Sequence, residues 1–189
     1  MQVITGIARG RKLVTVEGTD LVRPTAQKIK EAIFSAVQFE IEDSVVLDLF
    51  AGSGQLGIEA LSRGAAECTF ADNSNISLKA VRENLANTGL EDKAEVVNRP
   101  FSAFLSTTRK TFDMAILDPP YNKKILQKAL PQLVDKMSER GVIICEHEKE
   151  CTLPREIGGF EISKILRHGT VSVTIYRRDE IEDSEDGEE

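Results

Sequence analysis

Short apolar runs alternate with helical patterns from residue 45 to residue 147, and this alternation constrains the fold more than any other feature of the chain. Strand-length apolar runs stand at 45–49, 67–71, 94–98, 112–117 and 141–147, and helical patterns lie between them at 54–64, 74–88, 100–107 and 123–138. Strands joined by helices at this spacing favour right-handed βαβ units, and hence a parallel sheet covered by helices on both faces. The sequence therefore predicts an α/β fold, with a kink at Pro131 inside the last helical pattern.

Two alternating segments, 160–168 and 170–178, meet at Gly169 near the end of the chain. Their period of two predicts a hairpin that adds antiparallel pairing at one edge of the sheet. Because no internal repeat and no linker separates the segments, we expect a single domain over residues 1–178.

An N-terminal extension, residues 1–38, precedes the first βαβ unit. Val3-Ile4 and residues 13–16 flank the basic turn GIARGRK and predict a β-hairpin. Apolar residues at i, i+3 and i+4 then predict a helix over 25–38, with Thr25 as its N-cap.

The net charge of -7 is unevenly distributed along the chain. Residues 179–189, DEIEDSEDGEE, hold eight acids and no base, which leaves 24 bases against 23 acids in the rest of the chain. We expect this acidic tail to be disordered and mainly solubilising. Residues 1–30, in contrast, carry six bases and two acids, so the N-terminal end is locally basic.

Composition also argues against several classes of protein. No stretch approaches the eighteen or so consecutive apolar residues of a membrane span, and the N-terminus has no apolar run of signal-peptide length. The three cysteines, Cys68, Cys145 and Cys151, lack metal-ligand spacing, so buried and reduced thiols are expected. We therefore expect a cytoplasmic protein without a membrane segment. We also expect a monomer.

A glycine-rich loop follows the first strand and opens the next helix. It contains Gly52-x-Gly54-x-x-Gly57, and an acid, Asp72, stands at the end of the following strand. This pattern matches the dinucleotide fingerprint, in which the acid binds ribose hydroxyls. The match alone does not identify the ligand, since other nucleosides also present a ribose diol.

Asp48, in the strand end just before the loop, favours a different ligand. A pyrophosphate binds bare backbone N–H groups at a helix N-terminus, and a neighbouring carboxylate would repel it. S-adenosylmethionine has no phosphate and carries a sulfonium and an ammonium, so a carboxylate there attracts it. The sequence thus favours a methyl donor, with a dinucleotide oxidoreductase as the alternative.

The stretch Asp118-Pro119-Pro120-Tyr121 ends the fourth strand in an unusually rigid way. Each proline fixes its own φ and keeps the preceding residue extended, so the acceptors of Asp118 and Pro119 are held in place. Ligands of doubly wound sheets bind at the carboxyl ends of the strands. If the first and fourth strands are neighbours, Asp118 faces the same crevice as Asp48.

Two fixed acceptors beside an aromatic ring suit the exocyclic amine of a base. This amine is a poor nucleophile because its lone pair is delocalised into the ring, and acceptors for its N–H groups favour the charge that develops as it attacks. Tyr121 would stack on the base, a contact worth ~1–3 kcal/mol. An ordinary strand-ending turn is the alternative interpretation, and DPPY by itself does not separate guanine from adenine, or RNA from DNA.

Two pairs of motifs carry a family resemblance. VLDLFAGSGQLGIEAL and DPPY resemble the class I, Rossmann-like methyltransferases of exocyclic amino groups. ITGIARGRKL and VRPTAQKIKEAIFSAV resemble the RsmD family of bacterial small-subunit rRNA guanine-N2 methyltransferases, and the similarity spans residues 1–178. It implies a seven-stranded, mostly parallel sheet of order 3-2-1-4-5-7-6, with strand 7 antiparallel. It also implies that S-adenosylmethionine, without a metal, methylates N2 of one guanine of 16S rRNA in a small subunit or an assembly intermediate.

The resemblance further implies roles for individual residues. The methyl donor would be bound by Asp48, Phe50, Ala51, Gly52, Gly54, Asp72 and Asn73, and the target base by Asp118, Pro119, Pro120 and Tyr121. Arg23, Pro24 and Thr25 match the family's RPT element at the rim of the active site. After the third strand many relatives of the wider class carry an acid that binds the adenine amine, whereas this chain has Asn98-Arg99-Pro100-Phe101. Adenine contacts are therefore expected from backbone groups and Phe101.

The basic N-terminal turn is the candidate RNA contact. Arg9, Arg11 and Lys12 can reach phosphates, and Lys28 and Lys30 can extend the patch, although a merely solvated turn is the alternative. A base inside folded RNA must be extruded or already unstacked to reach Asp118. Two other interpretations stay open: adenine-N6 methylation of DNA or RNA, and an RNA-binding ribosome-assembly module.

The two histidines are not needed by this chemistry. His147 and His168 are interpreted as structural residues, at a strand end and before a turn. Cys145, His147 and Cys151 lack a matching fourth ligand, so no metal site is predicted.

Overall fold

The structure, a computed structural model, describes residues 1–16, 24–121 and 124–178, with side chains from Gln27 onward in the first helix. Its strands are β1 (Val45–Leu49), β2 (Glu67–Asp72), β3 (Ala94–Asn98), β4 (Phe112–Leu117), β5 (Met137–Glu148), β6 (Glu156–Ile157), β7 (Phe160–His168) and β8 (Val171–Arg178). Its α-helices are α1 (Pro24–Ala36), α2 (Gln55–Ser62), α3 (Asn75–Thr88), α4 (Phe101–Thr107) and α5 (Ile125–Leu133). Single 3₁₀ turns span Glu91–Lys93 and Val134–Lys136.

One sheet contains these strands in the order β3-β2-β1-β4-β5-β8-β7-β6. The first five are parallel, while β8 is antiparallel to β5 and β7 is antiparallel to β8. The predicted fold class and strand order are confirmed, with β7 and β8 as the predicted strands 6 and 7. The strand count differs because Gly158 and Gly159, both at positive φ, turn the chain so that the two-residue β6 pairs with the start of β7.

Helices cover both faces of the sheet, as predicted. One apolar cluster joins α1, α2 and α3 to strand residues such as Val46, Ile116 and Ile144. The other joins α4 and α5 to the strand residues directly next to those three in sequence, Leu47, Ala115 and Ile143. Successive residues of a strand point to opposite faces, so runs buried on both sides must be apolar throughout. This is why the central strands read as continuous apolar runs.

The helix predicted over 123–138 is shorter than expected. It begins at Ile125 and ends at Leu133, two residues after Pro131, and continues only as a 3₁₀ turn. Proline has no N–H to continue the helical ladder, and here it stands in the last turn, so the predicted kinked helix to 138 is wrong. The chain instead enters β5 at Met137, four residues before the predicted strand at 141.

The N-terminal extension turns back on itself with little strand pairing. Gln2 and Lys12 form an isolated antiparallel bridge, and the Val3 N–H donates to the Arg11 carbonyl at 3.0 Å. The predicted β-hairpin is confirmed in a shorter form, since the Leu13 N–H also donates to the Met1 carbonyl at 2.9 Å. Ile4 does not extend the pairing, because the amides of Ile4 and Thr5 donate to a side chain of α2 instead. The following helix starts at Pro24, so Thr25 lies inside its first turn and is not the N-cap.

Other predictions can be placed briefly. Cys68 and Cys145 are free and buried, whereas Cys151 is free but partly exposed, so its predicted burial is wrong. No helix among residues 1–16, 24–121 and 124–178 is long and apolar enough to cross a membrane. The acidic tail, 179–189, and Arg23 lie outside the described residues.

Candidate active site

The carboxyl ends of β1 and β4 lie side by side and bring two acids together. The strands are parallel, with Asp48 opposite Ile116, so Asp118 stands one pleat further on the same face. Both acids line a cleft of about 260 Å³, here called the glycine-loop cleft, which is also lined by Val16, Phe50, Ala51 and Gly52. The predicted meeting of Asp48, the glycine loop and Asp118 is confirmed.

Each glycine of the loop meets a different physical requirement. Gly52 and Gly54 have positive φ, 54° and 76°, and Gly54 is the N-cap of α2. Gly57 lies inside α2, where a Cβ atom would stand 2.4 Å from Cε1 of Phe70 on β2. The loop therefore needs glycine twice for its backbone conformation and once for the close packing of α2 on the sheet.

Asp48 is buried and holds the start of α2. Its Oδ2 accepts the Gly57 N–H at 2.9 Å. Burial raises the pKa of Asp48 from 3.8 to about 7, against the Gly57 hydrogen bond and with repulsion from Asp72 adding to the rise. A cation in the glycine-loop cleft would favour the charged form of this carboxylate.

Asp72 ends β2 and ties the glycine loop to the next helix. Its Oδ2 accepts the Gly52 N–H at 3.0 Å, and its Oδ1 accepts the Ser74 N–H at 2.8 Å. Asn73 beside it is exposed. A carboxylate has about four acceptor positions, so capacity remains for the ribose hydroxyls assigned to Asp72, and that role stays a prediction.

Phe50 and Phe101 form a ring pair at the edge of the glycine-loop cleft. Their centroids are 5.4 Å apart with a 56° angle between planes. Phe50 has φ 76°, which is rare for a bulky residue, and its N–H is held by the Ala71 carbonyl at 2.9 Å. The strained backbone at Phe50 thus directs an aromatic ring to the rim of the cleft, next to the first residue of α4.

A second cleft, of about 520 Å³, opens on the other side of DPPY. It is lined by Pro119, Pro120, Tyr121, Glu146, His147 and Cys151 among others, and is here called the tyrosine cleft. Asp118 lines the glycine-loop cleft and Pro119 the tyrosine cleft, so their shared peptide stands between the two. A group held at this peptide would touch the contents of both clefts.

Glu146, near the end of β5, is a site residue that sequence reasoning missed. The Tyr121 hydroxyl donates to its Oε1 at 3.3 Å. The register pairs Leu117 with Cys145, which places Glu146 on the strand next to Asp118. The rule that ligands bind at the carboxyl ends of parallel strands would have found Glu146, had it been applied to the fifth strand as well as to the fourth.

Asp118 and Glu146 oppose each other's ionisation. Burial raises the pKa of Asp118 well above its ordinary value, and repulsion from Glu146 and Asp48 raises it further. Burial likewise raises the pKa of Glu146, against the hydrogen bond from Tyr121. Such mutual perturbation is characteristic of functional sites, where a ligand supplies the missing donors.

His147 occupies a structural position, as interpreted from the sequence. It is buried, and its ring nitrogens lie 2.8 Å from the Thr174 hydroxyl and 2.8 Å from the Glu148 carbonyl. His168 ends β7 opposite Val171.

The basic patch is present only in part. Arg9, Arg11, Lys12 and Lys28 are exposed. Lys30 is 2% exposed, and its Nζ lies 3.2 Å from Glu59 Oε2 and donates to the Gln2 carbonyl at 2.8 Å. Its predicted place in an RNA-binding patch is wrong, because an amphipathic helix pattern does not show that a lysine has a buried partner. The Thr25 side chain lies outside the part of the first helix that the structure describes.

A family model described as "Conserved hypothetical protein 95" matches residues 1–177. The chain is 39% identical to the Bacillus subtilis protein YlbH, over 94% of this chain and 99% of that protein. It is 32% identical to the Ribosomal RNA small subunit methyltransferase D of Escherichia coli, over 95% of this chain and 90% of that protein. The solved Escherichia coli protein yhhF, 32% identical, superposes with a TM-score of 0.82 and covers 94% of this chain and 97% of its own.

Proposed function

The chain belongs to the RsmD family of S-adenosylmethionine-dependent methyltransferases, and from that premise we propose that it methylates N2 of one guanine in small-subunit rRNA. S-adenosylhomocysteine is the other product. The observation that carries this proposal is the position of the Asp118–Pro119 peptide between two clefts. One cleft suits a cationic methyl donor, and the other suits a flat base beside a tyrosine.

The residues of the glycine-loop cleft fit S-adenosylmethionine. Asp48 presents a buried carboxylate to a cation. At Gly52 a Cβ would meet nothing within 4 Å, so the backbone is open to close approach by a ligand. Asp72 stands behind this loop for the ribose. When bound, the sulfonium supplies an electrophilic methyl group.

Asp118 and Pro119 position and activate the amine. Their carboxylate and carbonyl accept its two N–H bonds, which orients the nitrogen lone pair and stabilises the positive charge formed on attack. The amine then loses one proton to an Asp118 carboxylate oxygen, from which it passes to water. The raised pKa of Asp118 makes this carboxylate a better proton acceptor.

An rRNA substrate is supported by the names of the relatives and by the exposed basic side chains of the N-terminal turn. The turn is rigidly attached: the Ile7 N–H donates to the Ser62 carbonyl at 2.8 Å, and the Ala8 N–H to the Ser62 hydroxyl at 3.0 Å. A rigid frame reduces the entropy that is lost when a basic turn meets phosphates.

The direct test is to incubate the protein with S-adenosylmethionine and small-subunit rRNA, both naked and assembled with ribosomal proteins. Nucleoside mass spectrometry should find N2-methylguanosine at one position, and comparison of the two substrates identifies the preferred form. N6-methyladenosine as the product would contradict the proposal, and so would tight binding of NADH in a calorimetric titration.

Removing the charges of the turn should weaken RNA binding. For the triple variant Arg9→Ala, Arg11→Ala, Lys12→Ala, we expect log K to fall less steeply with log salt concentration, with the magnitude of the slope smaller by about two to three. The reason is that each phosphate contact made by the protein releases about one counterion, and three contacts are lost. The measurement is fluorescence anisotropy with rRNA fragments at several salt concentrations.

A matched triple variant controls for net charge. Lys93→Ala, Arg109→Ala and Lys128→Ala remove three exposed bases outside the extension, and the slope should then stay near that of the wild type. Equal slopes for the two triple variants would show that the turn does not contact phosphates.

Donor affinity should depend on the ionisation of Asp48. The pKa of Asp48 is raised to about 7 in the folded state, so the folded protein binds the proton of Asp48 more tightly than the unfolded chain does. Protonation of Asp48 therefore stabilises the fold at acid pH, and this stabilisation is lost as pH rises through about 7. Binding of the cation needs the ionised form, so affinity for S-adenosylmethionine should rise about tenfold from pH 6 to pH 8. Isothermal titration across this range measures it.

The variant Asp48→Asn isolates this effect from titration of the ligand itself. Its affinity should be lower at pH 8 and should have lost the rise that Asp48 causes, whereas Asp92→Asn, which removes an exposed acid, should behave as the wild type. An unchanged pH profile in Asp48→Asn would contradict the assignment of Asp48 to the donor.

A further inference from the structure

Asp118 and Glu146 stand at the carboxyl ends of neighbouring strands, Asp118 at the glycine-loop cleft and Glu146 at the tyrosine cleft. The register pairs Ile116 with Ile144 and Leu117 with Cys145, the last pair of the two strands, and Asp118 and Glu146 are the residues that directly follow it. Side chains at paired positions of parallel strands point to the same face, with strands about 4.8 Å apart. Two carboxylates therefore stand side by side at the carboxyl edge of the sheet, beyond the buried Ile116 and Ile144.

Tyr121 holds the Glu146 carboxylate at the mouth of the tyrosine cleft. The tyrosine is 41% exposed, and its hydroxyl donates to Glu146 Oε1. This bond uses one of about four acceptor positions of a carboxylate, so Glu146 can still accept from a ligand. It also fixes the tyrosine ring at the place where a base would stack.

When both are ionised, Asp118 and Glu146 are two adjacent acceptors, and a ligand with two adjacent N–H donors favours this ionised state. The exocyclic amines of adenine and cytosine are each flanked, on the Watson–Crick edge, by a ring nitrogen that is an acceptor. The amine of guanine is flanked by N1–H, which is a donor. A second carboxylate beside Asp118 therefore repels adenine and cytosine and is complementary to guanine, because an unpaired buried acceptor costs more than a made hydrogen bond gains.

Given the proposed function, we propose that Glu146 accepts the N1–H of the target guanine and is the residue that selects guanine over adenine. Asp118 and Pro119 bind the amine that reacts, Glu146 binds the neighbouring ring N–H, and Tyr121 covers the base while it orients Glu146. Guanine specificity thus comes from the fifth strand, outside DPPY.

The test compares two bases that share the 2-amino group. Once the methylated guanosine is located, rRNA is prepared by ligation with either guanosine or 2-aminopurine riboside at that position. 2-Aminopurine keeps the amine but has no N1–H, and its N1 is an acceptor. The wild type should methylate guanosine with a kcat/KM at least about a hundredfold higher, because a site built to bind a donor rejects an analogue that lacks it.

The variant Glu146→Gln separates this effect from the intrinsic reactivity of the two amines. Glutamine can still accept from Tyr121, but its amide donates towards N1. The kcat/KM for guanosine should fall at least about tenfold and that for 2-aminopurine should rise, so the preference should narrow or reverse. Glu139→Gln, the same change at an exposed residue of the same strand that lines neither cleft, should keep the wild-type preference.

The outcomes are distinct. If the wild type methylates guanosine at N2 but does not discriminate against 2-aminopurine, or if Glu146→Gln keeps the full preference, the role of Glu146 is overturned and the proposed function stands. If the wild type gives no N2-methylguanosine at all, the proposed function fails and this inference with it. Binding of S-adenosylhomocysteine verifies that Glu146→Gln is folded; should it not fold, the wild-type comparison alone decides.

Discussion

We expect Asp118→Ala to lower kcat/KM for methyl transfer at least about a thousandfold, because it removes both the acceptor that stabilises the developing charge and the group that takes the proton. Binding of S-adenosylhomocysteine should stay near normal, since the glycine loop and Asp48 are held by bonds that do not involve Asp118. Methylation assays and isothermal titration measure the two effects separately. An active Asp118→Ala variant would contradict the proposed mechanism.

The ionised Asp118 side chain should also destabilise the folded protein. This effect distinguishes a functional role of Asp118 from a structural one. Because the pKa of Asp118 is raised in the folded state, the ionised form destabilises the fold at neutral pH. Asp118→Asn should therefore raise the free energy of unfolding at pH 7.5, and this gain should disappear below about pH 4, where Asp118 is protonated in both states. Urea unfolding at the two pH values measures it.

Asp113→Asn is the matched control on the same strand. Asp113 accepts the Val45 N–H at 3.0 Å and lines neither cleft. This variant should keep wild-type activity and gain no stability at pH 7.5. A loss of stability in Asp118→Asn equal to or larger than that in Asp113→Asn would show that Asp118 is a structural residue.

Much of the fold and half of the site follow from local pattern. The strands 45–49, 94–98 and 112–117 coincide with β1, β3 and β4 because they are buried on both faces or bounded by clear breakers. Parallel strands bring their carboxyl ends to one edge, so the proximity of Asp48 and Asp118 needed only the strand order.

What the sequence did not indicate depends on contacts between residues far apart in the chain. Helical periodicity alone predicts that Lys30 is exposed. In the structure it is buried against Glu59, which lies on another helix. Glu146 gains its role only because β5 is adjacent to β4 and Tyr121 reaches it. The N-terminal hairpin is shorter than predicted for the same reason: the amides of Ile4 and Thr5 donate to a carboxylate more than fifty residues away.

Glu59 is where the largest loss of stability is expected. Its side chain is fully buried, and its two oxygens accept from the Ile4 N–H (2.8 Å) and the Thr5 N–H (3.0 Å). They also contact Lys30 Nζ at 3.2 Å and accept from Arg63 Nε at 2.9 Å. Glu59→Ala leaves the buried Lys30 charge and two partly buried amides without this partner, so the free energy of unfolding should fall by roughly 3–5 kcal/mol.

Two further variants decide whether Glu59 acts through this network. Glu67→Ala breaks the half-exposed contact of Glu67 with Lys110, 2.8 Å long, and should cost only about 0–1 kcal/mol. The double variant Lys30→Met, Glu59→Leu should recover much of the loss, because no buried charge is left unpaired. A loss in Glu59→Ala no larger than in Glu67→Ala would contradict the anchoring role. Where the loss is large, the salt dependence of RNA binding should also flatten, because Glu59 holds the turn that carries Arg9 and Arg11 against α2.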